Sequence, residues 1–198
     1  MFSKIFSLII GYCSLFAVVW LHEVGHAMGY AFYGCKEHVL HVTVKPYIFF
    51  STPAPINQER ANTLSDKQVV LISYGGVVAN FFWALISMML ISLLHTPNIY
   101  LQLFLWLILT LNLAEIISYM VFGNIYLVSD MAIIASIFPK LRILNFVVGC
   151  LLFVLYLLAM IRIPDSIDRI VLIWNISTIL GMCGGRVVFA AVNARKLR

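Results

Sequence analysis

At 198 residues, with 63% hydrophobic residues, 11% charged residues and a mean hydropathy of +1.01, the chain is far from a soluble domain, where about a quarter of residues are charged. The composition excludes a water-soluble enzyme and points to an integral membrane protein. The net charge of +5 comes largely from loop and terminal Lys and Arg, which suits anionic headgroups and gives no reason to expect a nucleic-acid partner.

The opening MFSKIFSLIIGYCSLF has the Lys and apolar run of a secretory signal, but it continues without a small-residue cleavage site and is read as the start of a membrane helix over 5–33. Inside that stretch stands AVVWLHEVGHAMGY, residues 17–30. Residues four apart share a helix face, so His22 and His26 present their imidazoles side by side, at a spacing that lets both bind one tetrahedral metal ion. Glu23 lies one step round, where its carboxylate can act as general base on a water activated by that metal; this is the mechanical content of HExxH. Ionisable groups at membrane depth cost at least about 2.5–3.5 kcal/mol each, and their default reading is functional.

A long polar connection follows, and its stretch from Val39 to Phe50 is rich in β-branched and aromatic residues, which predicts either a short strand or hairpin or a re-entrant plug. His38 and His41 in this connection read as solvated. The second apolar stretch, 68–94, contains SYGGVVANFFW, in which Gly76 and Asn80 share one face. A partner helix or an extended substrate peptide is expected to approach the backbone closely at Gly76, and Asn80 reads either as a donor to a substrate carbonyl or oxyanion, or as an interhelical hydrogen bond. His95 falls between the second and third stretches, on the side of the N-terminus.

The third stretch, 99–121, carries Glu115, and a shorter one over 126–138 carries Asp130 and is read as a sixth span. A zinc site of this kind needs a third protein ligand, for which these two acids are the candidates. Depth favours Asp130: His22 and His26 lie past the middle of their helix, and a sixth helix starting from that same side would hold Asp130 at a similar level. Glu115 remains the alternative.

Stretches over 143–162 and 169–192 complete the pattern. Arg186 is close enough to the basic C-terminus to snorkel and takes no catalytic role in this reading. Cys13, Cys35, Cys150 and Cys183 show no paired spacing and read as packing thiols. No repeat is visible, so residues 1–198 are expected to form a single membrane-embedded domain, all-α and polytopic. About six transmembrane helices are expected, with a catalytic core over 15–135 and additional C-terminal helices over 139–198. Counted on that plan, Lys and Arg divide evenly between the two membrane faces, which leaves orientation undecided.

HEVGH in a first hydrophobic helix, GGVVAN in the next and a later intramembrane SDM resemble the site-2 protease family of intramembrane zinc metalloproteases. The third element departs from the family pattern, lacking its Pro and Gly. The resemblance implies a helical core open to the cytosol near Zn2+, a membrane-spanning protein as substrate, and a substrate-clamping role for Asn124, with Asn112 as its rival. The expected function is an intramembrane zinc endopeptidase. A non-proteolytic zinc-binding scaffold or client-binding relative is the alternative, and a metal transporter is disfavoured because the last two apolar stretches offer almost no polar path.

Overall fold

A computed structural model of the chain describes residues 4–196, apart from Phe49 and His95. The expectation for His95 lies outside the described residues. In chain order the elements are α1 (Lys4–Phe32), the single turn α2 (Gln58–Ala61), α3 (Asp66–Leu94) and α4 (Ile99–Ile117). A π-helical segment, Ser118–Gly123, runs on into α5 (Asn124–Tyr126), followed by α6 (Ser129–Ile137), α7 (Leu141–Ile161) and α8 (Asp168–Lys196).

Five helical stretches are long and apolar enough to cross a membrane, which makes this a multi-pass integral membrane protein. The sixth expected span is corrected: α6 has nine residues, about 13 Å of helix, less than half the hydrocarbon thickness. α4 is the centre of the bundle, with 78% of its apolar window buried against 17–33% in the other four spans. Leu103, Leu107 and Leu111, four residues apart on α4, are fully buried with Val18 of α1 and Val171 of α8.

Local chemistry sets the helix starts. Ser65 and Gln68 form a capping box at α3, where the Gln68 side chain accepts from both Ser65 N–H and Ser65 Oγ–H, at 2.8 and 2.9 Å. Asn98 caps α4 by accepting from Tyr100 N–H and Leu101 N–H. α1 and α3 touch backbone to backbone, because a β-carbon on either Gly25 or Gly75 would strike the other's carbonyl oxygen.

Contacts fix the direction of each span. α7 starts beside the end of α4, where Asn124 Nδ2 donates to Arg142 O at 2.6 Å and Arg142 Nε donates back to Asn124 O at 3.2 Å. It therefore runs antiparallel to α4. α8 then returns: Trp174 packs against Gly11 near the start of α1, while Arg186 reaches Ser118 near the end of α4. Because α6 does not cross, α7 and α8 run opposite to the six-span plan.

The strand or hairpin expected over Val39 to Phe50 is also corrected. Among the described residues it reduces to one antiparallel bridge, Thr43 with Thr52. The connection is re-entrant instead: Tyr12 Oη donates to Pro46 O at 2.8 Å, although Tyr12 lies 20 residues, about 30 Å of helix, back from the end of α1. Lys36 holds the base of this loop by donating its ammonium to His41 O, Pro53 O and Pro55 O at 2.7–2.8 Å. Lys36→Met leaves those three carbonyls without a donor. Hydrogen exchange at Thr43, Thr52 and Asn57 N–H is expected to accelerate by roughly tenfold or more, with the helices unchanged; an unaltered loop exchange pattern would show that the ammonium does not hold it.

Candidate metal centre and chamber

The geometry begins with α1, a continuous helix through both histidines. It places His22 Nε2 and His26 Nε2 3.1 Å apart. Asp130 Oδ2, in the first turn of α6, lies 3.8 Å from the first and 3.4 Å from the second. Two imidazole nitrogens and a carboxylate oxygen at about 2.0–2.2 Å from one tetrahedral ion stand roughly 3.3 Å from each other, so these separations suit a shared cation. This buried group is able to hold a metal ion, and among the described residues no other cluster of His, Cys, Asp and Glu converges in this way.

The fit can be tested at Gly76 on α3. A β-carbon built there would lie 2.6 Å from His26 Nε2 and closer still to His22 Nε2. The absent side chain therefore leaves open the space that a cation shared by the two nitrogens needs. Both imidazoles are also oriented from behind. His26 Nδ1 lies 2.7 Å from Ile72 O, and a carbonyl accepts only, so Nδ1 carries the proton and Nε2 offers its lone pair. His22 Nδ1 faces the Asn80 amide, with Nδ2 at 3.2 Å, while Asn80 Oδ1 is buried without a partner. Turning the isosteric amide by 180° brings Oδ1 to a protonated His22 Nδ1 and frees Nε2 of His22 in the same way. Asn80 thus meets His22 as an interhelical hydrogen bond behind a ligand, and it is not among the residues that line the adjoining cavity.

Irregular backbone brings the third member into place. Leu127 (φ 50°) and Ser129 (φ 57°), both non-glycine residues, adopt the left-handed conformation just before Asp130. Such residues cost of order 1 kcal/mol or more each and cluster at functional sites. The π-helical segment sets Tyr119 against His22, the rings stacked at 4.5 Å and 18°. α6 is anchored from behind by a relay in which Tyr74 Oη donates to Asn145 Oδ1 at 2.7 Å and Asn145 Nδ2 contacts Met131 Sδ at 3.5 Å.

His22 and Glu23 open onto a cavity of about 500 Å³ between α1, α4, α8 and the re-entrant loop, which contributes Ile48, Phe50, Ser51 and Thr52 to the wall. Glu23 is buried, and its Oε2 has no hydrogen-bond partner, as a carboxylate waiting for a water or substrate proton would be. Glu115, the alternative third ligand, lines the same cavity but stands with Arg186, Oε1 to Nη2 3.8 Å, outside the histidine group. Asn124 is spent on Arg142, and Asn112 donates to Ile108 O one turn back at 2.7 Å; neither lines the cavity, and among the described residues no asparagine clamp reaches it.

Sequence reasoning missed Arg186 and Tyr119. Arg186 does not snorkel: its side chain is 11% exposed, and its guanidinium donates through Nε to Ser118 Oγ at 2.8 Å and lies 3.8 Å over the Tyr119 ring. An unassigned acid at depth, Glu115, was the available signal, since it requires a cation at its own level. No family model, curated protein or solved structure matches the chain.

Proposed function

We propose that the chain is an intramembrane zinc endopeptidase that cleaves membrane-spanning or membrane-associated segments. The observation that carries this reading is the convergence of His22, His26 and Asp130 around the space left by Gly76, with Glu23, whose Oε2 has no hydrogen-bond partner, lining the adjoining chamber. Two imidazoles and one carboxylate form a donor set that suits zinc and leaves a fourth position for water or substrate. When bound, zinc would supply Lewis acidity toward a carbonyl and acidify a water. Glu23 accepts that water's proton and returns it to the leaving amine. Asn80 and Ile72 hold the two imidazoles in the required tautomer, and the surrounding apolar wall limits competing water. The resemblance to site-2 proteases at HEVGH and GGVVAN supports the same reading.

Charge distribution supports an orientation. With five crossings, Lys36, Arg60, Lys67, Lys140 and Arg142 fall on the face nearer the histidines, together with the end of α8, which carries Arg195 and Lys196. The opposite face holds Lys4, Arg162 and Arg169. The tie of the six-span plan is gone, and the positive-inside rule favours the metal side as cytosolic.

The test is zinc content and peptide cleavage in detergent for the wild type beside Glu23→Gln. Gln is nearly isosteric and cannot act as a base, so zinc is expected to stay while turnover falls by about 10²–10⁴-fold. Full turnover in Glu23→Gln would overturn the mechanism.

A further inference from the structure

Asn80 stands against His22 and does not line the chamber, so a bound peptide there needs another donor. We propose that Arg186 fills that role, as a binding residue whose terminal N–H groups hold a backbone carbonyl of an extended peptide, two or three residues from the cut bond. This inference rests on the peptidase reading and adds a subsite to it.

Placement comes first. Tyr119 stacks on the His22 ring at 4.5 Å, and the Arg186 guanidinium lies 3.8 Å over the same phenol ring. Two groups cannot share one ring face at those distances, so Tyr119 is sandwiched and spaces the cation from the metal ligand. That offset matches two to three residues of extended chain at about 3.3 Å each.

Availability comes second. Nε is bound to Ser118 Oγ at 2.8 Å, whereas Nη2 stands 3.8 Å from Glu115 Oε1, beyond hydrogen-bond distance. The guanidinium lines the cavity, and Glu115 is the one carboxylate within ion-pair reach of it among the described residues. The pair with Glu115 therefore does not use a terminal N–H in a hydrogen bond, on a residue that lines the chamber.

Charge selects the ligand. Glu115 already balances Arg186, so the pair is neutral as a whole, and a second carboxylate would bring an uncompensated charge into an apolar cavity. A backbone carbonyl brings none. A membrane segment that unwinds for cleavage exposes carbonyls that have no water to accept from, and leaving them unsatisfied in hydrocarbon is unfavourable. A guanidinium fixed by Ser118 and not hydrogen-bonded to Glu115 answers that need for any sequence. On α8, Ser177, Gly181 and Gly185 line the same chamber four residues apart, giving an extended chain room to approach along the helix that carries Arg186.

The experiment uses the full chain carrying Glu23→Gln, which holds peptide without turning it over. The probe is a fluorescent peptide of about 20 residues, the length that crosses the hydrocarbon, built from Leu and Ala around a central Gly-Ser pair. Binding is read by anisotropy in detergent. It is compared with that of the same sequence whose central links are esters, which have weaker carbonyl acceptors. With Arg186 present the ester form is expected to bind roughly tenfold more weakly. In Arg186→Met that ester penalty shrinks, while zinc content stays at the parent level. If Arg186→Met fails to fold because Glu115 is left unpaired, Glu115→Gln combined with Arg186→Met gives the same reading without a buried charge.

An equal ester penalty with and without Arg186 would overturn the proposal, as would a zinc-loaded chain that binds neither peptide. A central Leu→Asp peptide that binds more tightly only when Arg186 is present would overturn it in favour of a carboxylate site. Peptide binding that depends on Arg186, together with no cleavage by the wild type, would retain this subsite and sink the peptidase reading.

Discussion

Gly76→Ala is expected to empty the metal centre while leaving all three ligands in the chain. The added methyl would occupy the volume between His22 Nε2 and His26 Nε2, and neither ring can swing away freely. His26 is held by Ile72 O, and His22 is held between Asn80 and the Tyr119 ring. Zinc affinity should fall by more than about 100-fold, beyond the range seen when only an outer hydrogen-bond partner is lost, and cleavage should go with it. Metal analysis after dialysis, with circular dichroism to follow helicity, separates this from unfolding. Gly75→Ala is the informative neighbour. Its methyl would meet the Gly25 carbonyl instead of the imidazoles, so it should loosen α1 from α3 and lower thermal stability before it affects the metal directly. Full zinc occupancy in Gly76→Ala would place the metal elsewhere.

The second large effect is expected at Asp130. An anionic oxygen offsets a dication in a low-dielectric setting, and a neutral amide of the same shape does so poorly, so Asp130→Asn should lose zinc on dialysis and lose activity with it. Glu115→Gln should keep zinc near the wild-type level, because its carboxylate faces Arg186 rather than the histidines. Its cost should appear as weaker packing of α8 on α4, where Arg186 would lose its counter-charge. The reverse pattern, with zinc lost in Glu115→Gln and kept in Asp130→Asn, would mean that the acid beside the histidines is not the ligand.

Much of the centre is legible in the sequence because helical spacing is a local property. His22 and His26 must share a face, and Gly76 and Asn80 must share another, whatever the rest of the chain does. Asp130 is reachable by a depth argument even though its helix is not a span, since that argument needs only the side from which the helix starts. Hydropathy does not distinguish a short buried helix from a crossing one. The 126–138 run is apolar because Met131 and Ile134 pack inside the protein, not because the segment traverses lipid. That error reversed α7 and α8 and concealed the charge asymmetry. The left-handed residues Leu127 and Ser129 carry no sequence signal, being neither Gly nor Asn. Asn80 and Arg186 were ambiguous because a polar side chain at depth announces that it has a partner without saying which one.

The order in which the polar partners appear along the chain bears on how the protein enters the bilayer. α1 carries His22, Glu23 and His26, yet the groups that contact or flank them, Ile72, Asn80, Tyr119 and Asp130, all belong to segments synthesised later. A nascent α1 alone in lipid would face polar costs of about 2.5–3.5 kcal/mol for a buried charge, offset by only about 0.3–0.6 kcal/mol for each Leu, Ile, Val or Phe. The arrival of α3 changes this, because the Gly25 and Gly75 backbones lie against each other and both Nδ1 atoms gain their partners in that one pairing. α1 is therefore expected to leave the insertion machinery together with α3 as a hairpin, with the re-entrant loop as its bend. An α1 segment tested alone should insert less efficiently than α1 followed by α3, and replacing His22 and His26 with Leu should remove the difference.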